Sequence, residues 1–310
     1  MNNQVYRFRL GSLVCTVISD GRYVYAPPVY PPPADFIFSD ARREQIEDAF
    51  RKRILKLEER YFWNSACNCL LVDSGGQLLL IDSGGGSFGH ETGKLYKNLL
   101  AAGACPDTIN WVVLTHGHPD HIGGAASTEG RAMFPQAHYI MSKDEWDFWR
   151  SGRAEGVIRE FNKDMLLKTE YGKLPAIQHQ LILIEGETEI IPGVFVLPIP
   201  GHTSGQIGVW LASQDKRLLY LSDSFFHPVQ IQCPEWSGIA DLDSDQTIVT
   251  RYCLLRQAVS EHAMVMGFHF PFPGLGWVVR YKNRFIWLEH KITEENPMPE
   301  HVPAWEKNPV

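Results

Sequence analysis

At 310 residues, 44% of them hydrophobic and with a formal net charge of −7, the chain is long enough to bury a sizeable core in one large domain or two small ones. Its 29 Lys plus Arg face 36 Asp plus Glu without a long basic block, which excludes a phosphate-backbone binder and so a nucleic-acid partner. No apolar run of about 18 residues is present, and the first nine residues hold no signal-peptide core, so no membrane partner and a cytoplasmic location are expected.

Residues 5–9 and 13–18 read as strands flanking Gly11-Ser12, a hairpin. A proline-rich stretch, 25–33, leads into a helix expected over about 40–61, with Ile46, Phe50, Ile54 and Leu57 as its apolar stripe. Core packing and a homodimer contact both account for such a stripe. The basic residues of 42–60 alternate with acids, the pattern of a solvated helix face. A second hairpin, 67–72 and 77–81, turns at Asp73-Ser74-Gly75-Gly76. Cys67-Asn68-Cys69 has no neighbouring His and belongs to a buried strand; the six cysteines, at 15, 67, 69, 105, 233 and 253, are too scattered for a disulfide framework.

The strand 78–81 ends in Asp82-Ser83-Gly84, and no Lys-Ser/Thr follows Gly84, Gly85 and Gly86, so these glycines predict a tight turn, not a phosphate cradle. Leu95, Leu99 and Leu100 give a helix one apolar face, and the strand 111–114 follows. Ser142-Lys143-Asp144-Glu145 predicts a capping box opening another helix. Residues 151–180 carry Phe161, Met165, Leu166 and Leu167 as apolar anchors. Asp243 predicts the cap of a helix that runs to Val259.

Directly after the strand 111–114 comes Thr115-His116-Gly117-His118-Pro119-Asp120-His121, three imidazoles and a carboxylate within six residues. A polar loop capping a helix from Ile122 would use such residues, but imidazole with carboxylate also suits zinc, iron, manganese or cobalt. Gly201-His202-Thr203, Ser222-Asp223 and Phe268-His269 each add one potential ligand just past an apolar stretch. A lone His or Asp is commonly a satisfied polar group; four such elements in this order are specific.

On these motifs the chain resembles the metallo-β-lactamase superfamily, with its His-x-His-x-Asp-His loop, Gly-His-Thr loop, strand-end Asp and late His. The resemblance implies an αβ/βα sandwich formed by a single domain, 1–310, in which the segment 25–62 is an added N-terminal proline-rich and helical insertion and the segment 151–180 roofs the active site. It implies that His116, His118 and His202 hold one metal, that Asp120, His121 and His269 hold a second, and that Asp223 bridges them. Asp82 resembles the carboxylate that supports a ligand histidine, against the alternative of a turn-starting Asp bonded to its own backbone. Zinc is the default for the two divalent metals; iron, cobalt and manganese are also accommodated.

Ile18-Ser19-Asp20-Gly21 and the stretches around Asp223, Trp236 and His269 look like the branch containing methyl parathion hydrolase, lactonases and arylesterases. That branch implies a broad apolar pocket lined by Phe225, Phe226, His227, Trp236, Phe270 and Phe272, with core packing as the competing role for the aromatics. Lactonases of a neighbouring branch carry a tyrosine three residues after the bridging Asp, where this chain has Phe226; Gln206 likewise replaces a histidine. Acyl-homoserine lactones are therefore expected to turn over poorly relative to activated aryl esters.

The function that follows is binuclear metal-dependent hydrolysis of small-molecule esters or lactones, extending to organophosphate triesters, by a metal-bridging hydroxide, with Asp120 holding the nucleophile and passing a proton to the leaving group. Two rivals share the loops: a mononuclear iron sulfur dioxygenase, and a thioester hydrolase of the glyoxalase II type, the latter disfavoured by the lack of a basic C-terminal cluster for glutathione carboxylates.

Overall fold

The computed structural model describes residues 4–157 and 173–290. Among the described residues fourteen strands form two seven-stranded mixed sheets. The first is built of β1 (Val5–Leu10), β2 (Leu13–Tyr25), β3 (Trp63–Ser74), β4 (Gln77–Ile81), β5 (Trp111–Val113), β6 (His138–Ser142) and β7 (Leu181–Ile184), in that order. The second runs β8 (Thr188–Ile191), β9 (Val194–Pro198), β10 (Ile207–Ser213), β11 (Lys216–Tyr220), β12 (Met264–Met266), β13 (Leu275–Tyr281) and β14 (Arg284–Glu289). One apolar core joins them, with Val17, Leu70 and Val112 from the first sheet and Val209, Leu218 and Met266 from the second. This is the αβ/βα sandwich expected from the sequence.

Both predicted hairpins form; β4 has the expected bounds, and the other three strands run further than their apolar pattern implied. Gly75 and Gly76 take positive φ at the second turn, the requirement of a tight two-residue hairpin, and Gly76 N donates to Asp73 Oδ1 at 2.8 Å. In β2 a register shift between Ser19 and Gly21 lets the strand continue to Tyr25, which pairs with Trp63. Asp20, at that irregularity, is buried and accepts from Gly85, Gly93 and Leu95 backbone N–H groups at 2.8–3.0 Å. Burial pushes its carboxyl up to about 6 against the pull of those donors.

The N-terminal insertion departs from expectation. Its helix spans only Arg43–Arg51, because Arg53 takes a left-handed φ of 55° that an α-helix cannot continue, and a single 3-10 turn, Leu57–Arg60, follows. Ile46 and Phe50 are buried in a second cluster with Tyr30, Phe36, Trp63 and Phe226, whereas Ile54 and Leu57 are exposed. The four residues therefore do not share one stripe.

Leu95 and Leu99 of the helix Leu95–Ala101 are buried as the spacing predicts, but Leu100 is exposed. Asp243 caps the helix Ser244–Ser260, accepting from Gln246 N at 2.9 Å. Ser142 Oγ caps Lys143–Arg150. The reciprocal half of that capping box is not made, because Glu145 turns its carboxylate inward. Cys67 and Cys69 are buried, and the six cysteines are free thiols. Among the described residues no helix is long and apolar enough to cross a membrane. Phe161, Met165, Leu166 and Leu167, expected to anchor the roof insertion, lie outside the described residues.

Candidate metal centre

Four strand ends converge at one edge of the sandwich. His116 follows β5, His202 follows β9, Asp223 follows β11 and His269 follows β12, each within a few residues of the last ladder bond. His118 precedes, and Asp120 and His121 lie within, the short helix Pro119–Ile122, whose proline at the first position suits a helix start that needs no N–H there. His118 is half-buried and the other six side chains are buried.

They form two groups. His116, His118, His202 and Asp223 bring ligand atoms within 4.8 Å of one another, as do Asp120, His121 and His269. In the first group His118 Nδ1 stands 3.0 Å from His116 Nε2 and 2.8 Å from His202 Nε2. Asp223 Oδ2 is 3.8 Å from His116 Nε2 and 3.6 Å from His202 Nε2. The same carboxylate reaches the second group, with Oδ1 3.0 Å from His121 Nε2 and Oδ2 3.0 Å from His269 Nε2. Asp120 Oδ2 lies 3.5 Å from His269 Nε2. Asp223 thus reaches both groups.

The opposite nitrogens of the rings are held by the protein. His121 Nδ1 donates to Asp82 Oδ2 at 2.9 Å, and Asp82 also accepts from Thr115 N, Thr115 Oγ1 and Tyr220 Oη, each at 2.9 Å. His269 Nδ1 donates to the Ala66 carbonyl at 3.0 Å and lies 2.6 Å from Ser65 Oγ. His202 Nδ1 donates to Asp241 Oδ1 at 3.2 Å, and His116 Nδ1 is 3.2 Å from Thr115 Oγ1. With Nδ1 engaged by these partners, the Nε2 atoms of four rings face inward.

That arrangement fits metal ions. His121 Nε2 and Asp223 Oδ1 are buried and face one another at 3.0 Å without forming a hydrogen bond to each other or to any other group among the described residues, although a buried polar atom ordinarily has one. A cluster of inward imidazole nitrogens and carboxylate oxygens is a cation site in its donor chemistry.

The charges follow the geometry. Burial, reinforced by the His121 charge, holds His116 well below the ordinary imidazole range, and burial with His202 does the same to His118. At His121 burial also opposes the charge, but the Asp223, Asp82 and Asp120 carboxylates outweigh it and raise the ring well above that range. His269 is raised in the same way by Asp223 and Asp120. Burial disfavours the Asp223 charge, yet His121 and His269 hold its carboxyl well below the usual range.

The supporting roles of three groups left no trace in the sequence. Glu145 is buried and accepts from Gly117 N at 2.8 Å, Trp149 Nε1 at 2.7 Å, Thr203 Oγ1 at 2.6 Å and Gly205 N at 3.1 Å. Asp241, the partner of His202, is held by the fully buried Arg251, whose guanidinium also donates to the Trp236 carbonyl at 2.8 Å. Of the six residues expected to line a pocket, Phe226 alone stacks on the ligand rings, 5.1 Å from His202 and 5.7 Å from His269 between ring centres. His227 is tied to Glu59 at 3.1 Å and accepts from Val229 N at 3.1 Å. Trp236 packs on Phe38, Phe225 under Arg251, Phe270 on Trp287, and Phe272 against the central core.

Comparison with known proteins agrees with the architecture. An N-acyl homoserine lactonase of Bacillus thuringiensis is 24% identical over 132 residues, 43% of this chain and 44% of that protein. A probable metallo-hydrolase of Mycobacterium bovis is 26% identical over 194 residues, 52% of this chain and 57% of that protein. The chain thus spans about half the length of these relatives. Among solved structures, AidC, a dizinc quorum-quenching lactonase in complex with a product, superimposes with a TM-score of 0.82 at 24% identity, covering 94% of this chain and 99% of the other. The hydrolase AbOPH has the same TM-score and coverage at 25% identity. Residues 63–269 match the Metallo-beta-lactamase superfamily, and the chain belongs to it.

Proposed function

We propose that the protein is a binuclear metal-dependent hydrolase of lactones and carboxylic esters, able to accept organophosphate triesters at the same centre. The observation that carries this reading is the pair of buried ligand groups joined through Asp223. His116, His118 and His202 would hold one ion, Asp120, His121 and His269 the other, and Asp223 both, with zinc the ion best matched to this donor set. Two bound divalent ions supply an activated water nucleophile at neutral pH and polarise the oxygen of the group under attack.

The chain's own residues do the rest. Asp82, Asp241, Ser65 and Thr115 fix ring tautomers and orientations, so that the inward nitrogens need no reorganisation. Asp120 Oδ2, 3.5 Å from His269 Nε2, is the carboxylate able to pass a proton to the departing alkoxide or phenoxide. Phe226 walls the site and keeps water away from a substrate packed against it. The names of the lactonase relatives support the lactone part of the reading.

The test is metal-reconstituted protein assayed on a panel of lactones, aryl esters and one phosphotriester. Two metals per chain with hydrolysis is the expected result. One iron per chain with oxygen uptake would replace it with the sulfur dioxygenase reading.

A further inference from the structure

Beside the metal centre stands a group of tyrosines carried by the end of β2 and the chain that follows it. Cross-strand pairing sets Tyr25 opposite Trp63 and Tyr23 opposite Ser65, so these side chains share one face of the sheet. It is the face that meets the ligands: Ser65 Oγ lies 2.6 Å from His269 Nδ1, and the Trp63 ring packs edge-on to His269 at 5.4 Å and to Phe226 at 5.8 Å. Tyr25 stacks on Trp63 at 5.0 Å.

The three phenols differ in one respect. Tyr23 and Tyr30 hydrogen-bond one another. Tyr25 Oη has no hydrogen-bond partner among the described residues, and it is not one of the sealed polar atoms. A half-buried hydroxyl beside an active centre, with no partner of its own, is available to a ligand. Burial, with the Asp120 and Asp223 carboxylates adding to it, keeps this phenol protonated at any working pH, so it can only serve as a neutral hydrogen-bond donor or acceptor.

We propose that Tyr25 Oη donates a hydrogen bond to the carbonyl oxygen of the bound ester or lactone, in place of the phenol that Phe226 lacks. This role rests on the ester and lactone reading above. It removes the handicap toward homoserine lactones expected from Phe226, since the donor arrives from β2 instead of from the loop after Asp223. An activated aryl ester, whose leaving group departs readily, depends less on that donor than a lactone does.

The experiment compares the two-metal wild type with Tyr25→Phe on an N-acyl homoserine lactone and on an aryl acetate. The expected result is a fall of about 10²-fold in kcat/KM for the lactone, the size seen when one donor to a charge-developing oxygen is removed. The aryl acetate falls far less, and metal content and Tm stay at the wild-type values. Adding Phe226→Tyr to Tyr25→Phe should recover most of the lactone turnover. Unchanged lactone turnover in Tyr25→Phe, or equal losses on both substrates accompanied by a lower Tm or lost metal, overturns the role of Tyr25 and leaves the hydrolase reading standing. Wild-type protein inert toward both substrates overturns the hydrolase reading, and the role of Tyr25 falls with it.

Discussion

Thr203 Oγ1 donates to Glu145 Oε2 at 2.6 Å, and through that bond the helix Lys143–Arg150 holds the loop of His202. The other oxygen of the same carboxylate holds Gly117 N, between His116 and His118. A single buried side chain therefore sets the spacing of all three imidazoles of the first group. Burial pushes its carboxyl up, while Thr203, Trp149, Gly117 and Gly205 pull it back as donors.

Glu145→Gln should weaken that first group more than the second. The amide presents one acceptor oxygen to donors that now share two, and hydrogen bonds to a charged acceptor are worth about 1.5–3 kcal/mol each. Affinity for the first metal is expected to fall by about 10–100-fold, as for other residues that orient ligands. Competition with a chromophoric chelator measures it; equal loss at both sites would assign Glu145 to general packing.

His121→Ala should leave one metal per chain. It removes an inward nitrogen of the second group and strips Asp82 of an imidazole partner, while His116, His118 and His202 keep theirs. Elemental analysis after reconstitution decides, and an unchanged content of two would exclude His121 as a ligand.

Asp120→Asn should retain the first metal yet lose most hydrolysis, on the order of 10²–10⁴-fold for a group that moves a proton in the transition state. The loss should be smallest for esters with the most acidic leaving alcohols. Comparable activity at matched metal content would remove Asp120 from the reaction.

Arg251→Met should destabilise the protein by about 3–5 kcal/mol, since it leaves the Asp241 carboxylate buried without its cation. Arg251→Met together with Asp241→Asn should recover part of that loss. Thermal denaturation of the single and double variants measures both, and an unperturbed Tm in the single variant would contradict the buried pairing.

Acid should cost stability through His290. Its Nε2 lies 2.6 Å from Tyr6 Oη, and burial lowers the ring from its ordinary value of 6.5. The unfolded chain then binds the proton more readily, so this contribution is complete above about pH 6.5 and lost as pH falls through the lowered value. His290→Gln, which keeps an acceptor for Tyr6 but cannot titrate here, should flatten the stability profile between about pH 7 and 5. Identical profiles would clear His290 of this part.

The His and Asp side chains that gather here were legible as candidates because metal chemistry demands particular residue types, and chain direction places them where apolar strands run out. Asp243 and Ser142 were legible as caps for a similar reason: a cap acts on N–H groups three residues away. The end of the insertion helix was not, since Ile54 and Leu57 keep the spacing of a stripe while Arg53 turns the chain out of it. Glu145 was read as half of a capping box, a local role its residue type also satisfies, and its actual donors lie as far off as Gly205.

The sequence by itself supplied the seven His and Asp side chains and their order, through residue chemistry just past apolar strands, and the resemblance carried by those motifs implied the sandwich. Tertiary structure alone decided what holds those side chains and what stands beside them. Ser65 meets His269, Asp241 meets His202, and Tyr25 comes to Phe226 through Trp63, because two sheets close on one core and bring distant strand ends to a common edge. A hydrogen bond across 204 residues leaves no periodic trace in the chain, since only the packing of the sheets makes the two groups neighbours.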